Sequence, residues 1–223
     1  MFKYLSVLVL LVVALPVFAG QITPYNLSST IPTTPFPGSG DYDMFYCGTT
    51  TYYWDFTGAD CYLAVYFDPA DNLGDTFSVP FTIVEVDSLW YGTSDGDYPI
   101  TICPESGGFP DMGNPYHTGT ISDPAIYPTY ASYEVTPPVH LDADTPFYVV
   151  IVATMEVSET ETVDEPMTDG DGNSGHSLYS WDGAAWDMAF TGVEDVDFMW
   201  HCFANDASAV QSNSLGHVKA LFN

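Results

Sequence analysis

Short runs of alternating apolar and polar residues constrain the fold of this chain more than any other feature. The same parity is apolar at Cys61, Leu63, Val65 and Phe67, and again at Val196, Phe198, Trp200 and Cys202. A period of two puts alternate side chains on one face of a β-strand, and the Gly, Pro, Asp and Asn residues between the runs are typical of turns. We therefore predict an all-β fold, an antiparallel β-sandwich of jelly-roll or immunoglobulin-like type with about 8–10 strands.

Ten segments are predicted to be strands. They are Met44–Cys47, Tyr52–Phe56, Cys61–Phe67, Thr82–Tyr91, Tyr98–Cys103, Tyr133–Leu141, Phe147–Met155, His176–Trp181, Ala185–Phe190 and Val196–Ala204. Phe147–Met155 is apolar on both parities, which indicates a central strand covered on both sides. The stretches 106–130 and 157–175 are predicted to be long loops, where binding sites are often found.

The first nineteen residues have the features of a secretory signal peptide. Lys3 precedes an apolar run from Leu5 to Val13, and the small-residue pattern at residues 17–19 is typical of a cleavage site. No later segment approaches the roughly 20 apolar residues of a membrane-spanning helix. We expect a protein that is exported, found extracellularly or at the cell surface, and not inserted in a membrane.

The remaining chain divides into three parts by composition. Residues 20–40 form a Pro/Ser/Thr-rich lead-in, residues 41–205 form the predicted β-sandwich domain, and residues 206–223 form a C-terminal tail. The tail contains Lys219, which is the one lysine outside the predicted signal peptide.

The charge balance excludes several classes of partner. Asp and Glu together number 30, Lys and Arg together number 2, and the formal net charge is −28. Nucleic acids and anionic lipids require cationic side chains to neutralise their phosphates, so neither is expected as a partner. The repulsion between carboxylates calls for counter-ions, either diffuse salt or specifically bound divalent cations such as calcium.

Four cysteines in an exported chain predict two disulfides. Three pairings are possible, and we favour Cys47 with Cys61, which leaves Cys103 with Cys202, because the first two lie on runs joined by a short connection.

The sequence around residues 177–188 predicts a β-hairpin with aromatic residues near its tip. Asp182 and Gly183 form the expected turn, and Tyr179, Trp181 and Trp186 flank it. An indole or phenol ring offers an apolar face and a hydrogen-bonding group, which suits stacking on a sugar. These three residues are our candidate ligand-binding set, and packing in the sandwich core is the alternative.

An acidic, Gly-rich stretch precedes this hairpin. Asp169, Asp171 and Asn173 alternate oxygen donors, which suits calcium, although Ser174 and Ser180 stand where an EF-hand needs Gly and Glu. We take the three as a candidate calcium site, with a solvated acidic loop as the alternative.

No catalytic residues are predicted. The histidines are scattered without metal-ligand spacing, and Gly172 to His176 does not have the Gly-x-Ser-x-Gly spacing of a nucleophile elbow. A glycoside hydrolase is kept as a third hypothesis, because thirty acidic residues allow two to meet at a suitable distance.

The order of several motifs resembles a known family. CYLAVYF, FTIVEVDSLWYG, YEVTPPVHLDADTPFYVVIVA and the hairpin GHSLYSWDGAAWDM together, over residues 44–204, are similar to lectin-like β-sandwich domains of bacterial secreted proteins, some attached to papain-type peptidases. The resemblance implies a non-catalytic accessory domain that binds carbohydrate. Unlike those domains, this chain has four cysteines, and we expect the domain to stand alone without a peptidase.

We therefore predict a secreted, non-enzymatic module that binds an extracellular glycan or surface component. The alternative is a structural subunit of a cell-surface layer or filament, which self-associates through its acidic surface and its tail.

Overall fold

The computed structural model describes residues 21–31, 40–48, 50–57, 60–92, 96–153, 165–169, 174–188 and 196–207. The regular elements of this part are all strands: β1 Gln21–Ile31, β2 Tyr42–Phe45, β3 Thr50–Thr57, β4 Cys61–Phe67, β5 Phe81–Ser88, β6 Trp90–Tyr91, β7 Asp97–Ser106, β8 Phe109–Pro110, β9 His117–Ser122, β10 Ala131–Leu141, β11 Phe147–Ala153, β12 Glu165–Asp169, β13 Ser177–Ser180, β14 Asp187–Met188 and β15 Trp200–Asp206. The predicted all-β class is confirmed.

The strands form three sheets in which the paired strands are antiparallel. The largest has seven strands in the order β14-β13-β4-β11-β7-β8, with β9 also paired to β7. A four-stranded sheet has the order β10-β5-β15-β2, and a second four-stranded sheet has the order β1-β3-β12-β6.

The main core lies between the seven-stranded sheet and the sheet that contains β5 and β15. Both sheets contribute fully buried side chains, among them Leu63, Val149 and Ile151 from the first and Ile83, Val86 and Trp200 from the second. Each such residue contributes about 1.5–3 kcal/mol by leaving water. Two facing antiparallel sheets with one shared core are the predicted β-sandwich.

The third sheet adds to the same core from one side. Trp54 of β3 and Trp90 of β6 are buried in the main cluster. The indole N–H of Trp54 donates to Oγ1 of Thr168 at 2.7 Å, so the polar edge of this buried ring is satisfied.

The prediction of a central strand at Phe147 is confirmed. β11 pairs with β4 on one side and with β7 on the other, and six of its seven residues are buried. Both faces are therefore covered, as the apolar residues on both parities indicate.

Several strands lie in segments where no strand was predicted. β8, β9 and β12 fall within the predicted loops, and β1 falls within the Pro/Ser/Thr-rich lead-in and pairs with β3. β9 pairs with β7, and only two of its six residues are buried. Such an edge strand needs few apolar residues, because its stability comes mostly from the main-chain ladder of its neighbour.

The predicted disulfides are wrong. All four cysteines are free and buried. In the first predicted pair, Cys47 packs in a small cluster with Leu89 and Met199, whereas Cys61 lies in the main core. In the second pair, Cys202 lies in the main core, whereas Cys103 lies on the opposite face of the seven-stranded sheet. The members of each predicted pair thus face different clusters, and a disulfide requires their side chains to converge.

In the described part of the chain, no helix is long and apolar enough to cross a membrane. The predicted signal peptide lies outside the described residues.

Candidate functional site

The face of the seven-stranded sheet that points away from the main core has its own aromatic cluster. Its buried members are Ala64, Cys103, Tyr148, Val150 and Leu178, and its partly buried members are Tyr62, Tyr66, Met112, Trp186 and Met188. We call this set of ten residues the outer aromatic face. Partly buried rings on a sheet face that is not the core are the features of a ligand or partner surface.

The alternation of β4 produces this face. Leu63, Val65 and Phe67 point into the core, so Tyr62 and Tyr66 point outward. Tyr66 lies directly opposite Tyr148 of β11, and their ring centroids are 5.1 Å apart at 55°. The hydroxyl of Tyr148 donates to the carbonyl oxygen of Gly108 at 2.7 Å, which fixes that ring.

The hairpin predicted around Gly183 is confirmed, and its turn packs on Tyr62. β13 and β14 pair antiparallel. Gly183 has φ of 69°, and a Cβ placed there would lie 3.0 Å from a ring carbon of Tyr62. The turn therefore needs glycine for its backbone conformation and for its close approach to the ring.

Hydrogen bonds within the turn hold it in shape. Oδ1 of Asp182 accepts the N–H groups of Ala184 and Ala185, both at 2.8 Å, and Oγ of Ser180 accepts the N–H of Gly183 at 2.9 Å. The two bonds to Asp182 are the main cause of its lowered pKa. The turn is thus ordered by local hydrogen bonds.

The three predicted ligand-binding residues are not brought together in one place. Tyr179 and Trp181 pack against the main core, with ring centroids 6.2 Å apart in an edge-to-face arrangement. Trp186 lies beyond the turn and packs in the outer aromatic face. All three are partly buried.

His176 is stacked between two tyrosine rings at one end of the outer aromatic face. Its ring centroid lies 3.8 Å from that of Tyr46 and 5.6 Å from that of Tyr66, and both pairs are nearly parallel. Nδ1 of His176 lies 2.8 Å from Oγ of Ser174. Burial is the main cause of its lowered pKa, and nearby carboxylates, first that of Asp197, oppose the effect.

Asp197 is a buried carboxylate with several donors. It accepts the hydroxyl and N–H groups of Ser174, each at 2.8 Å, and the hydroxyl of Ser177 at 3.0 Å. Burial nevertheless raises its pKa above the ordinary value. Asp197 lies just before β15, so these hydrogen bonds join that segment to Ser174 and Ser177 at the start of the hairpin.

Asp169, the first residue of the predicted calcium site, has a structural role. Oδ1 accepts the N–H of Asp197 at 2.9 Å and Oδ2 accepts the N–H of Gly48 at 2.7 Å, so this buried side chain joins two other segments. Asp171 and Asn173 lie outside the described residues. Within the described ranges no group of three His, Cys, Asp or Glu residues is arranged to hold a metal. The calcium site stays a prediction.

A thiol, an imidazole and a carboxylate meet elsewhere in the structure, at residues where no motif was predicted. Sγ of Cys47 lies 3.9 Å from Nε2 of His201, and Nδ1 of His201 lies 2.9 Å from Oδ1 of Asp43. Burial, with the charge of Asp169, raises the pKa of the Cys47 thiol far above its usual range. Burial therefore favours the neutral form of this thiol, which is a poorer nucleophile than the thiolate.

Asp87 is a buried carboxyl on the same sheet. It lies directly opposite His201 on β15, is fully buried, and neither of its oxygens has a hydrogen-bond partner among the described residues. Burial is the main cause that raises its pKa to about 7.

No known family profile matches the sequence, and no curated protein matches it. By fold, the chain is similar to the crystal structure of the cysteine protease and lectin-like domains of Cwp84, a surface layer associated protein of Clostridium difficile. The two are 15% identical with a TM-score of 0.45, and the match covers 75% of this chain and 36% of that one. The loose resemblance to such proteins is confirmed, and we assign no function from it.

Proposed function

We propose that this protein is a secreted, non-enzymatic binding module and that its outer aromatic face binds carbohydrate. The observation that supports this proposal most directly is the partial exposure of Tyr62, Tyr66 and Trp186 on a sheet face outside the main core. Aromatic rings stack on the apolar faces of sugars, and the phenol and indole groups supply hydrogen bonds at their edges.

The site is well suited to binding because its parts are held in place before a ligand arrives. Tyr62 is backed by the turn at Gly183, and Tyr66 packs against Tyr148 and His176. A rigid set of rings loses little conformational entropy on binding, so more of the contact energy appears as affinity.

A glycan array followed by isothermal titration calorimetry tests this proposal. The array selects a saccharide, and calorimetry then compares the unmodified protein with Tyr62→Ala and with Tyr179→Ala. Both tyrosines are partly buried and lie on adjacent strands, but only Tyr62 belongs to the outer aromatic face. Loss of one stacking ring should weaken binding about tenfold in Tyr62→Ala and by less than about twofold in Tyr179→Ala.

The result that would remove the proposal is equally clear. If no saccharide binds the unmodified protein, or if Tyr62→Ala binds as well as the unmodified protein, the outer aromatic face is not a sugar site.

A structural subunit of a surface layer is the alternative. It predicts that calcium causes assembly, because divalent ions would bridge carboxylates on a chain with a net charge of −28. Light scattering with calcium and then with a chelator measures this. Reversible, calcium-dependent growth that is lost on deleting residues 208–223 would favour the subunit over the binding module.

A further inference from the structure

We propose that the sugar bound by the outer aromatic face is positively charged, and that its ammonium group binds against Tyr66 between the carboxylates of Asp68 and Glu105. This inference rests on the proposed function and adds the chemical class of the ligand, an amino sugar with free amines.

The strand register places the two carboxylates beside the aromatic rings. Tyr66, Tyr148 and Cys103 lie directly across from one another on β4, β11 and β7. Asp68 is two residues beyond Tyr66, and Glu105 is two residues beyond Cys103. Since β4 and β7 both run antiparallel to β11, these two steps go in the same direction along the sheet. Glu105 lies within β7 and so shares the outer face with Cys103, whereas Asp68 is the first residue after β4.

Electrostatic effects agree with this placement. The pKa of Tyr66 is raised first by burial and then by the charges of Asp68 and Glu105. The pKa of Tyr148 is raised first by burial, and the charge of Glu105 contributes to the same shift. Both carboxylates therefore act on Tyr66, and Glu105 acts on Tyr148 as well.

The rings themselves suit a cation. Tyr66 and Tyr148 form an open angle of 55° with centroids 5.1 Å apart, and Tyr66 remains partly exposed. A cation within about 6 Å of a tyrosine ring is attracted by the negative face of the ring. An ammonium bound at the exposed part of Tyr66 would have this ring on one side and the carboxylates on the other.

Each carboxylate keeps an oxygen for a ligand. Oδ1 of Asp68 accepts the N–H of Ala70 at 2.8 Å, and Oε1 of Glu105 accepts the N–H of Gly108. Among the described residues these are the hydrogen bonds made by the two carboxylates. Oδ2 of Asp68 and Oε2 of Glu105 can therefore accept hydrogen bonds from an ammonium. The engaged oxygens hold the side chains in position.

The charge of the whole chain selects against anionic ligands. Lys3 and Lys219 are the two cationic residues of the sequence, and neither is in the part that the structure describes. With a net charge of −28, the protein repels sulfated or uronic acid sugars and attracts a polyamine sugar.

Calorimetry with a glucosamine oligosaccharide and with its fully N-acetylated counterpart tests the inference. The two differ in the charge of the amine, so the free-amine sugar should bind at least about tenfold more tightly at low salt, and added salt should reduce this difference. The double variant Asp68→Asn, Glu105→Gln keeps the oxygens that accept from Ala70 and Gly108, and it should lose most of the difference. Glu134→Gln is the matched control, because it removes one exposed charge from the other face of the sandwich.

The outcomes separate this inference from the proposed function. Equal or tighter binding of the N-acetylated sugar would overturn the inference and leave the proposed function in place. Failure of both sugars to bind, with no other glycan bound on the array, would overturn both. Equally tight binding of an oligolysine peptide at the same residues would overturn the assignment to a sugar.

Discussion

Trp181 and Trp186 lie on either side of one turn, yet they pack against different clusters: Trp181 against the main core and Trp186 against the outer aromatic face. The turn at Asp182 and Gly183 separates them. One hairpin therefore supplies one ring to the interior of the sandwich and one to the proposed binding surface.

Substitution of Trp181 should mainly lower stability, whereas substitution of Trp186 should mainly lower saccharide affinity. Trp181→Ala removes part of the core packing, so it should lower the free energy of unfolding by about 2–4 kcal/mol and change saccharide affinity by less than about twofold. Trp186→Ala should weaken saccharide binding about tenfold. Urea denaturation and calorimetry measure the two effects. A loss of affinity that is larger in Trp181→Ala would contradict this division.

The stability of the protein should depend on pH through Asp87. Because burial raises its folded pKa to about 7, the folded state favours the neutral acid, whereas an unfolded Asp titrates near pH 4. Its contribution to stability is therefore full below about pH 4 and is lost as the pH rises to about 7.

The isosteric variant Asp87→Asn stays neutral throughout this range. Relative to the unmodified protein, it should gain about 2–4 kcal/mol of stability between about pH 4 and pH 8. Urea denaturation at the two pH values measures the gain, with the exposed Asp142→Asn as the control. A stability difference that does not change with pH would show that Asp87 is not a buried acid.

The cysteines should all react as free thiols. Under denaturing conditions without reductant, a thiol reagent should label four groups per chain, because the structure has four free cysteines. In the native protein labelling should be slow, since all four are buried and burial raises the thiol pKa of each. Labelling of two or fewer groups after denaturation would indicate disulfides.

Gly183 should tolerate substitution less well than Gly108. Both have positive φ, 69° and 90°, but a Cβ at Gly183 would press on Tyr62, whereas a Cβ at Gly108 meets nothing within 4 Å. Gly108→Ala should cost about 1 kcal/mol for the backbone conformation, and Gly183→Ala should cost more and also weaken saccharide binding. Equal effects of the two variants on binding would argue against the contact with Tyr62.

Part of this fold was predictable because the pattern is local. Cys61–Phe67 was predicted with the bounds that the structure has, since alternate residues of that run are apolar and its ends are marked by acidic residues. β9 and β12 were not predicted, because His117–Ser122 and Glu165–Asp169 contain few apolar residues and gain their strand conformation from neighbours. The cysteine pairing failed because spacing along the chain does not show which sheet face each residue occupies.

The candidate site was predictable only in part for a similar reason. Trp186 stood out beside a turn motif, whereas Tyr62 and Tyr66 lie on the parity of β4 for which no role was predicted. The second parity of CYLAVYF does contain two aromatic residues, Tyr62 and Tyr66, and this is the local signal that a second face of the strand is partly covered. Their juxtaposition with Tyr148 depends on the strand register, which the sequence does not state.

The indole N–H signals of the protein test the central claim most directly. The chain has five tryptophans, and each gives one resolvable indole signal in a nitrogen-15 correlation spectrum. When a saccharide that binds is added, we expect the signal of Trp186 to shift while that of Trp181 stays in place. A shift of the Trp181 signal with the Trp186 signal unchanged would contradict the assignment of the binding surface to the outer aromatic face.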